Sequence, residues 1–400
     1  MITALSRCYQ FIMKVVAYCL PWRKPELLQG AGSIRRLSAL LKERRYQKVL
    51  IVTDQGIASL GLMDSMLKDF EDERIQYTIY DKTVPNPTID NIEEALKLYR
   101  EKDCEAIIVF GGGSSMDCGK GVAARVARPD KTIPELKGIL KVRRRVPPII
   151  AVPTTSGTGS EATLAAVITD SRTHEKYAIN DVVLIPKLAV LDPVLTEKLP
   201  PHITSTTGMD ALTHAVEAYI GRSNTRETKA LSRKAVRLIF DNIREAYHNG
   251  GNLQARENMQ LASFYAGMAF TRAYVGNVHA IAHTLGGFYS TPHGLANAVI
   301  LPYVLEAYGK SVYRSLSELY DLTGAPALST QEEKAKAFIR LVRELNREMN
   351  ISEKIKGIKE KDIPTMVNRA YSEAVPTYPV PKMMSRSELE KMYYMIMDKE

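Results

Sequence analysis

The feature that most constrains this chain is an alternation of short apolar runs with helix-length amphipathic stretches. Lys48–Asp54 (KVLIVTD), Gln76–Tyr80, Ala106–Phe110 (AIIVF), Pro148–Pro153 and Leu188–Leu191 read as strands, with helical spacing over Ser59–Phe70 and Asp90–Glu101 between them. Strands this apolar are buried on both faces, and connections of that length are crossovers. The pattern therefore predicts a parallel sheet covered by helices on both sides. Past the proline-containing stretch Asp192–Pro201, long helical patterns replace the β-branched runs, at Ile203–Ile220, Thr225–Tyr247, Leu253–Tyr274 and Gln331–Met349. The reading is an α/β domain over 28–198, then an all-α domain over 199–400, with residues 1–27 as an extension.

Composition narrows the class. Hydrophobic residues make up 45% and charged residues 25%, the balance of a globular chain rather than a disordered or fibrous one. The net charge of +9 is concentrated in the first fifty residues, which hold ten basic and two acidic side chains; the remainder holds 44 and 43. The body is thus nearly neutral, and its one basic run (Lys137, Lys141, Arg143, Arg144, Arg145) lacks the aromatics or docking motif of a nucleic-acid site, so no nucleic-acid partner is expected. Four cysteines without CxxC spacing predict free thiols in a reducing compartment. No stretch reaches the ~20 apolar residues of a spanning helix, and a cytoplasmic location is expected. The first twenty residues have the pattern of an amphipathic helix, with Cys8, Phe11, Ile12, Val15, Val16 and Cys19 on one face and Arg7, Gln10 and Lys14 opposite; Pro21 ends it. Such a helix packs on the protein's own surface or lies on a membrane; packing is the expectation.

Two turns have the chemistry of phosphate cradles. Gly111–Asp117 (GGGSSMD) follows one strand and opens a helix, and Pro153–Glu161 (PTTSGTGSE) follows the next. Glycines let a backbone approach a phosphate, and a helix start offers unpaired N–H groups. Ligands of open α/β sheets lie beyond the carboxyl ends of the strands, where both turns fall. Asp54, ending the first predicted strand, can accept ribose hydroxyls and so select NAD over NADP, or can simply cap a helix.

In the helical half, Asp210 and His214 are four residues apart and share a helix face, as do His279 and His283; His293 follows in a Thr-Pro-His-Gly turn. Two such pairs and a loop histidine point to a divalent-metal site. HAIAH is not the zinc-protease HExxH, because Ala280 stands where that motif has its general base. His174, His202 and His248 lie in polar, loop-like contexts and read as structural or solvated.

With these residues in view, the chain is similar to the iron-containing alcohol dehydrogenases, which share a fold with glycerol dehydrogenase and dehydroquinate synthase. The similarity rests on VPNPT (Val84–Thr88), GGGSSMD, PTTSGTGSE, LDP (Leu191–Pro193), TGMDALTHAVEAY (Thr207–Tyr219) and HAIAHTLGGFYSTPHGLANA (His279–Ala298). It implies a dinucleotide in the first domain, a metal in the second, chemistry in the cleft between them, and a homodimer. By position, the implied metal ligands are Asp210, His214, His279 and His293, leaving His283 as a catalytic, non-ligand histidine. The implied cofactor contacts are Asp54, Asn86, Gly112, Gly113, Ser114, Ser115, Asp117, Thr154, Thr155, Thr158 and Lys176. Thr284 departs from the proline that many members carry after the second histidine. Residues 1–27 precede the usual family start.

The implied reaction is hydride transfer between NAD and a small primary alcohol or aldehyde whose oxygen is polarised by Fe²⁺; the same ligands also suit Zn²⁺. The rival is a metallohydrolase, which would need a carboxylate base beside the metal and has no use for Asp54.

Overall fold

The computed structural model describes residues 2–172 and 175–398; His174 lies outside them. The chain divides into two compact units: Pro21–Lys198, and the chain from Leu199 onward together with the N-terminal helix.

The first unit is built on strands β1 (Glu26–Gln29), β2 (Lys48–Val52), β3 (Gln76–Tyr80), β4 (Ala106–Gly111), β5 (Gly138–Ile139), β6 (Ile149–Pro153), β7 (Ala165–Thr169), β8 (Lys176–Asn180) and β9 (Leu188–Leu191). Six of them form a wholly parallel sheet in the order β1-β9-β6-β4-β2-β3. Alternation along each strand serves both faces. Leu50, Val52, Ile107, Val109 and Ala151 enter one core, while Val49, Ile51, Ile108, Phe110 and Val152 enter the other. Each such Val, Leu, Ile or Phe, nearly fully buried, contributes roughly 1.5–3 kcal/mol of burial free energy. The chain leaves β2 for β3 on one side and returns to β4 on the other, so the strand order reverses between β2 and β4. That reversal opens a crevice at their carboxyl ends.

Three features depart from the sequence reading. A second, three-stranded sheet, β5-β8-β7, contains an antiparallel pair, β7 with β8. The four-residue edge strand β1 joins the main sheet from within what reads as extension. The helix expected over Ser59–Phe70 is two, Gln55–Ala58 and Asp64–Asp72, broken near Gly61, whose φ is +68°.

The second unit is helical, with a continuous apolar core shared by Pro201–Ile220, Arg226–His248, Leu253–Ala273, Asn277–Tyr289, His293–Tyr308, Gln331–Glu348, Ile363–Ala374 and Arg386–Ile396. Thr284 does not break its helix: its hydroxyl bonds the Ile281 carbonyl at 2.7 Å and meets the Tyr393 hydroxyl at 2.7 Å.

The N-terminal helix, Ile2–Cys19, packs on this unit, but by the face opposite to the one expected. Arg7 and Gln10 point inward and donate to the carbonyls of Pro376, Tyr378, Val380 and Pro381. Lys14 donates to the Arg222 carbonyl at 3.0 Å. Leu5, Phe11, Ile12, Val15, Val16 and Tyr18 are exposed, Phe11 at 67%. The reason is hydrogen bonding: the 376–381 segment is not helical, and its inward carbonyls need donors that an apolar face cannot supply. No helix among the described residues is long and apolar enough to cross a membrane.

Candidate metal centre and dinucleotide turns

Three helices deliver the metal-type cluster. Asp210 and His214 sit one turn apart on Pro201–Ile220, 2% and 4% exposed. His279 lies on Asn277–Tyr289, and His293 begins His293–Tyr308. One ligand atom from each of the four lies within 4.8 Å of the others. Local sequence makes this convergence feasible. A Cβ on Gly294 would lie 2.4 Å from the Thr206 carbonyl oxygen, so only glycine lets the start of the His293 helix approach the Asp210 helix so closely. The His214 ring stacks on Phe270 with centroids 4.1 Å apart.

The cluster has supports that sequence reasoning missed. Glu217, also buried, meets His279 Nδ1 at 2.6 Å and accepts the N–H groups of Gly276 and Val278 at 2.7 and 2.9 Å. Gly276 is again a close approach, since its Cβ would lie 2.7 Å from Glu217 Oε1. Asn297 Nδ2 donates to Asp210 Oδ1 at 2.7 Å and lies 3.2 Å from His279 Nε2 and 3.1 Å from His293 Nε2. With the Glu217 carboxylate as its acceptor, His279 carries its proton on Nδ1 and leaves Nε2 bare. Burial, then the neighbouring His214 and His293, hold His279 well below its usual value, so the ring is neutral. Burial also pushes the Glu217 carboxyl up to about 7, against the Gly276 and Val278 N–H groups that favour its charge. Glu217 follows His214 by three positions on one helix, a spacing the sequence does display.

His283 stands beside this group rather than in it. Its ring stacks on His293, centroids 5.3 Å apart, and its Nδ1 lies 2.6 Å from Glu373 Oε1. Tyr378 donates its hydroxyl to the same Glu373 oxygen at 2.6 Å. Ninety positions separate His283 from Glu373, so no local spacing could reveal the pair. His202 and His248 are exposed.

Most candidate cofactor residues lie at the carboxyl ends of β2, β4 and β6 in the other unit, while Asn86 follows β3 and Lys176 opens β8. Asp54 follows β2 and caps the Gln55–Ala58 helix through Oδ1, accepting the Ile57 N–H at 3.0 Å, while Oδ2 accepts from Ser115 at 3.4 Å. Gly112 precedes the Gly113–Ala127 helix and contributes no side-chain cap. That leaves the helix-start N–H groups to a ligand. A Cβ on Gly113 would fall 2.9 Å from Thr158 Cγ2, so the turn after β4 and the turn after β6 meet only through glycine. Thr155 borders Gly112, and Thr154 Oγ1 is buried without a hydrogen-bond partner. Asn86 donates its N–H to Ser114 Oγ at 3.3 Å and accepts from Lys176 Nζ at 2.7 Å.

Behind the turns lies Lys120, fully buried, whose ammonium donates to Ser160 Oγ, to Thr163 O and Oγ1, and to Ala165 O at 2.9–3.0 Å. It ties the first turn's helix to the second turn. Burial pushes the neighbouring Asp117 carboxyl up and pulls Lys120 down.

A doubly wound sheet with glycine turns at its switch point, in one chain with a His₃Asp cluster buried but for His293, has the parts of a metal- and nucleotide-dependent enzyme. Comparison with known proteins agrees. The family model for iron-containing alcohol dehydrogenase matches residues 24–193, and that for the C-terminal domain of the Fe-containing alcohol dehydrogenase family matches 204–397. The chain is 38% identical over 349 residues to alcohol dehydrogenase 4 of Schizosaccharomyces pombe, covering 87% of this chain and 82% of that one. It is 40% identical over 333 residues to 1,3-propanediol dehydrogenase of Klebsiella pneumoniae, covering 82% and 86%. A crystal structure of 1,3-propanediol oxidoreductase superposes with a TM-score of 0.89 at 34% identity, over 93% of this chain and 98% of that one. The chain belongs to the iron-containing alcohol dehydrogenase family and is a metal-dependent oxidoreductase of alcohols and aldehydes. Nothing in these relatives supports the hydrolase reading.

Proposed function

We propose that the protein interconverts small primary alcohols and aldehydes with NAD as coenzyme: alcohol and NAD⁺ yield aldehyde, NADH and a proton. The observation that carries the reading is the convergence of Asp210, His214, His279 and His293 to within 4.8 Å, a donor set that fits a divalent cation. Three neutral imidazoles and one carboxylate would leave such a cation with net positive charge. When bound, it supplies Lewis acidity at the substrate oxygen. Fe²⁺ is the proposed metal; Zn²⁺ fits the same ligands and binds such sites more tightly as a rule.

The chain's own residues do the rest. Glu217 orients His279 and fixes its proton on Nδ1. His283, held through Nδ1 by Glu373, keeps Nε2 as the nitrogen that exchanges the substrate's proton. The two glycine turns, with Asn86, Thr154, Thr155, Thr158 and Lys176, would bind the pyrophosphate side of the coenzyme. The Asp54 carboxylate would accept ribose hydroxyls and repel the extra phosphate of NADP. The 1,3-propanediol dehydrogenase and lactaldehyde reductase among the relatives support short, polar substrates. A homodimer is part of the proposal, as the family resemblance implies, and so is a reducing compartment, which the four free thiols support.

The test is to load the metal-depleted protein with Fe²⁺ or Zn²⁺ and follow NADH absorbance over a panel of short aldehydes, alcohols and diols. Metal-dependent turnover with at least one is expected. A panel that leaves the nicotinamide signal unchanged with either metal would end this reading.

A further inference from the structure

The N-terminal helix lies upstream of both family-model matches, which begin at residues 24 and 204, and its docking is unusual in chemistry. It turns a polar stripe inward and spends it on backbone. Gln10, 6% exposed, donates from Nε2 to the Pro376 carbonyl at 2.9 Å and to the Tyr378 carbonyl at 2.8 Å. Arg7 donates to Val380 and Pro381 carbonyls at 2.8 and 3.2 Å, and its other contact, Gln10 Oε1 at 2.9 Å, fixes the amide's orientation. The Arg222 N–H grips Pro379 O at 2.6 Å, and the Arg222 carbonyl in turn accepts from Lys14. Donors outside the 376–381 segment therefore engage five of its six carbonyls, four of them from one helix.

That segment is a strap across the site. It follows the Ile363–Ala374 helix, which carries Glu373, and it contains Tyr378. Tyr378 is held by Gln10 at its carbonyl and holds Glu373 Oε1 by its hydroxyl at 2.6 Å; that same oxygen fixes His283 Nδ1 at 2.6 Å. The path from residue 10 to the site histidine is thus three side chains long, each link a hydrogen bond of 2.8 Å or less. The strap also reaches the other half of the site: Val380 Cγ1 lies 3.4 Å from where a Gly276 Cβ would stand, and Gly276 N–H anchors Glu217.

We propose that the N-terminal helix is a positioning element of the active site, in which Gln10 and Arg7 fix the 376–381 strap so that Tyr378 and Glu373 hold His283 in one ring orientation, with Nε2 available for proton exchange. This rests on the dehydrogenase reading for what His283 does, but not for how it is held. A carboxylate shared by a tyrosine and a histidine orients the ring only while the tyrosine stays in place, and Tyr378 lies on a non-helical segment. Its backbone is held by the Ala374 carbonyl on one side and by Gln10 on the other.

The experiment uses the full chain with Gln10→Ala, Gln10→Glu, Glu373→Gln, the double variant Gln10→Ala/Glu373→Gln and, on the outward face, Phe11→Ser. Steady-state kinetics, bound metal, coenzyme affinity and hydrogen exchange of residues 372–381 are measured together. Gln10→Ala is expected to lower kcat about tenfold, the scale of one lost general acid–base alignment, leaving metal content and coenzyme affinity within twofold and speeding exchange over 372–381. Gln10→Glu should be worse than Gln10→Ala, because a carboxylate faces two carbonyl oxygens; a helix that merely adds stability would not rank them so at kcat. In the Glu373→Gln background, Gln10→Ala should change kcat less than twofold, since the link it acts through is already cut. Phe11→Ser should match the native enzyme. Native kcat in both Gln10 variants, or a fall in metal and coenzyme binding parallel to kcat, overturns the proposal. If the native protein turns over no substrate, the dehydrogenase reading fails separately, and unchanged exchange over 372–381 in Gln10→Glu then overturns the strap on its own.

Discussion

Replacing Glu217 by glutamine tests the metal centre at one atom. In the native site three donors converge on one carboxylate: His279 Nδ1–H at 2.6 Å and the N–H groups of Gly276 and Val278 at 2.7 and 2.9 Å. A glutamine of the same shape has one oxygen to accept and an NH₂ that cannot. Either the Val278 N–H, on Oε1, or the Gly276 N–H and the histidine together, on Oε2, must then face a donor. Each buried, unsatisfied group costs about 1–3 kcal/mol. If the amide NH₂ meets Nδ1, His279 is driven to the tautomer with its proton on Nε2, the nitrogen the cluster needs bare. Carboxylates behind metal-binding histidines are worth about 10–100-fold in affinity, or about 1.4–2.8 kcal/mol. Glu217→Gln is therefore expected to raise the Zn²⁺ dissociation constant by about that factor, measured by competition with a calibrated chelator, while NAD binding stays native because the cofactor turns lie in the other unit. A variant that folds and binds Zn²⁺ within twofold of the native protein would refute the reasoning.

Three further outcomes are expected. Asp54→Gly should cut the preference for NAD over NADP at least about tenfold in kcat/KM, as the loss of one charged ribose contact predicts; an unchanged ratio removes Asp54 from coenzyme selection. Gly113→Ala puts a methyl where Thr158 Cγ2 would lie at 2.9 Å, so the KM for coenzyme should rise with metal content native, and equal KM values would mean the two turns do not jointly hold it. In native protein at pH 8, Cys8 and Cys19 are exposed and should react with a thiol reagent, whereas burial pushes Cys104 up to about 11 and Cys118 up to about 12. Those two stay protonated and silent until unfolding; three or four fast thiols would contradict the burial.

What could be read before any coordinates follows physical rules. The main sheet is legible because a strand buried on both faces must be apolar throughout, as KVLIVTD and AIIVF are. Strand β1 and the small sheet are not, because a four-residue edge strand and a half-exposed hairpin carry too few apolar positions to stand out. The metal-type residues announce themselves by i,i+4 spacing on helices. Glu373 and Asn297 are invisible because their partners lie far along the chain or act through an amide with no distinctive neighbours. The N-terminal helix is the instructive case. Its amphipathicity is plain in the sequence, yet the face it buries depends on bare carbonyls near residue 380, which leave no trace in side-chain patterning.

That docking also has a consequence in time. Gln10 and Arg7 wait for partners 366 to 374 positions downstream. At the usual elongation rate of about 5–20 residues per second, the helix spends about 20–75 s without its seat during synthesis. Throughout that interval both stripes are open, and a helix made early is among the last to reach its native place. The seat is thus a test of how far synthesis has gone: a polypeptide stopped short of Tyr378 keeps the polar stripe of Arg7 and Gln10 open, whereas a longer one has it paired.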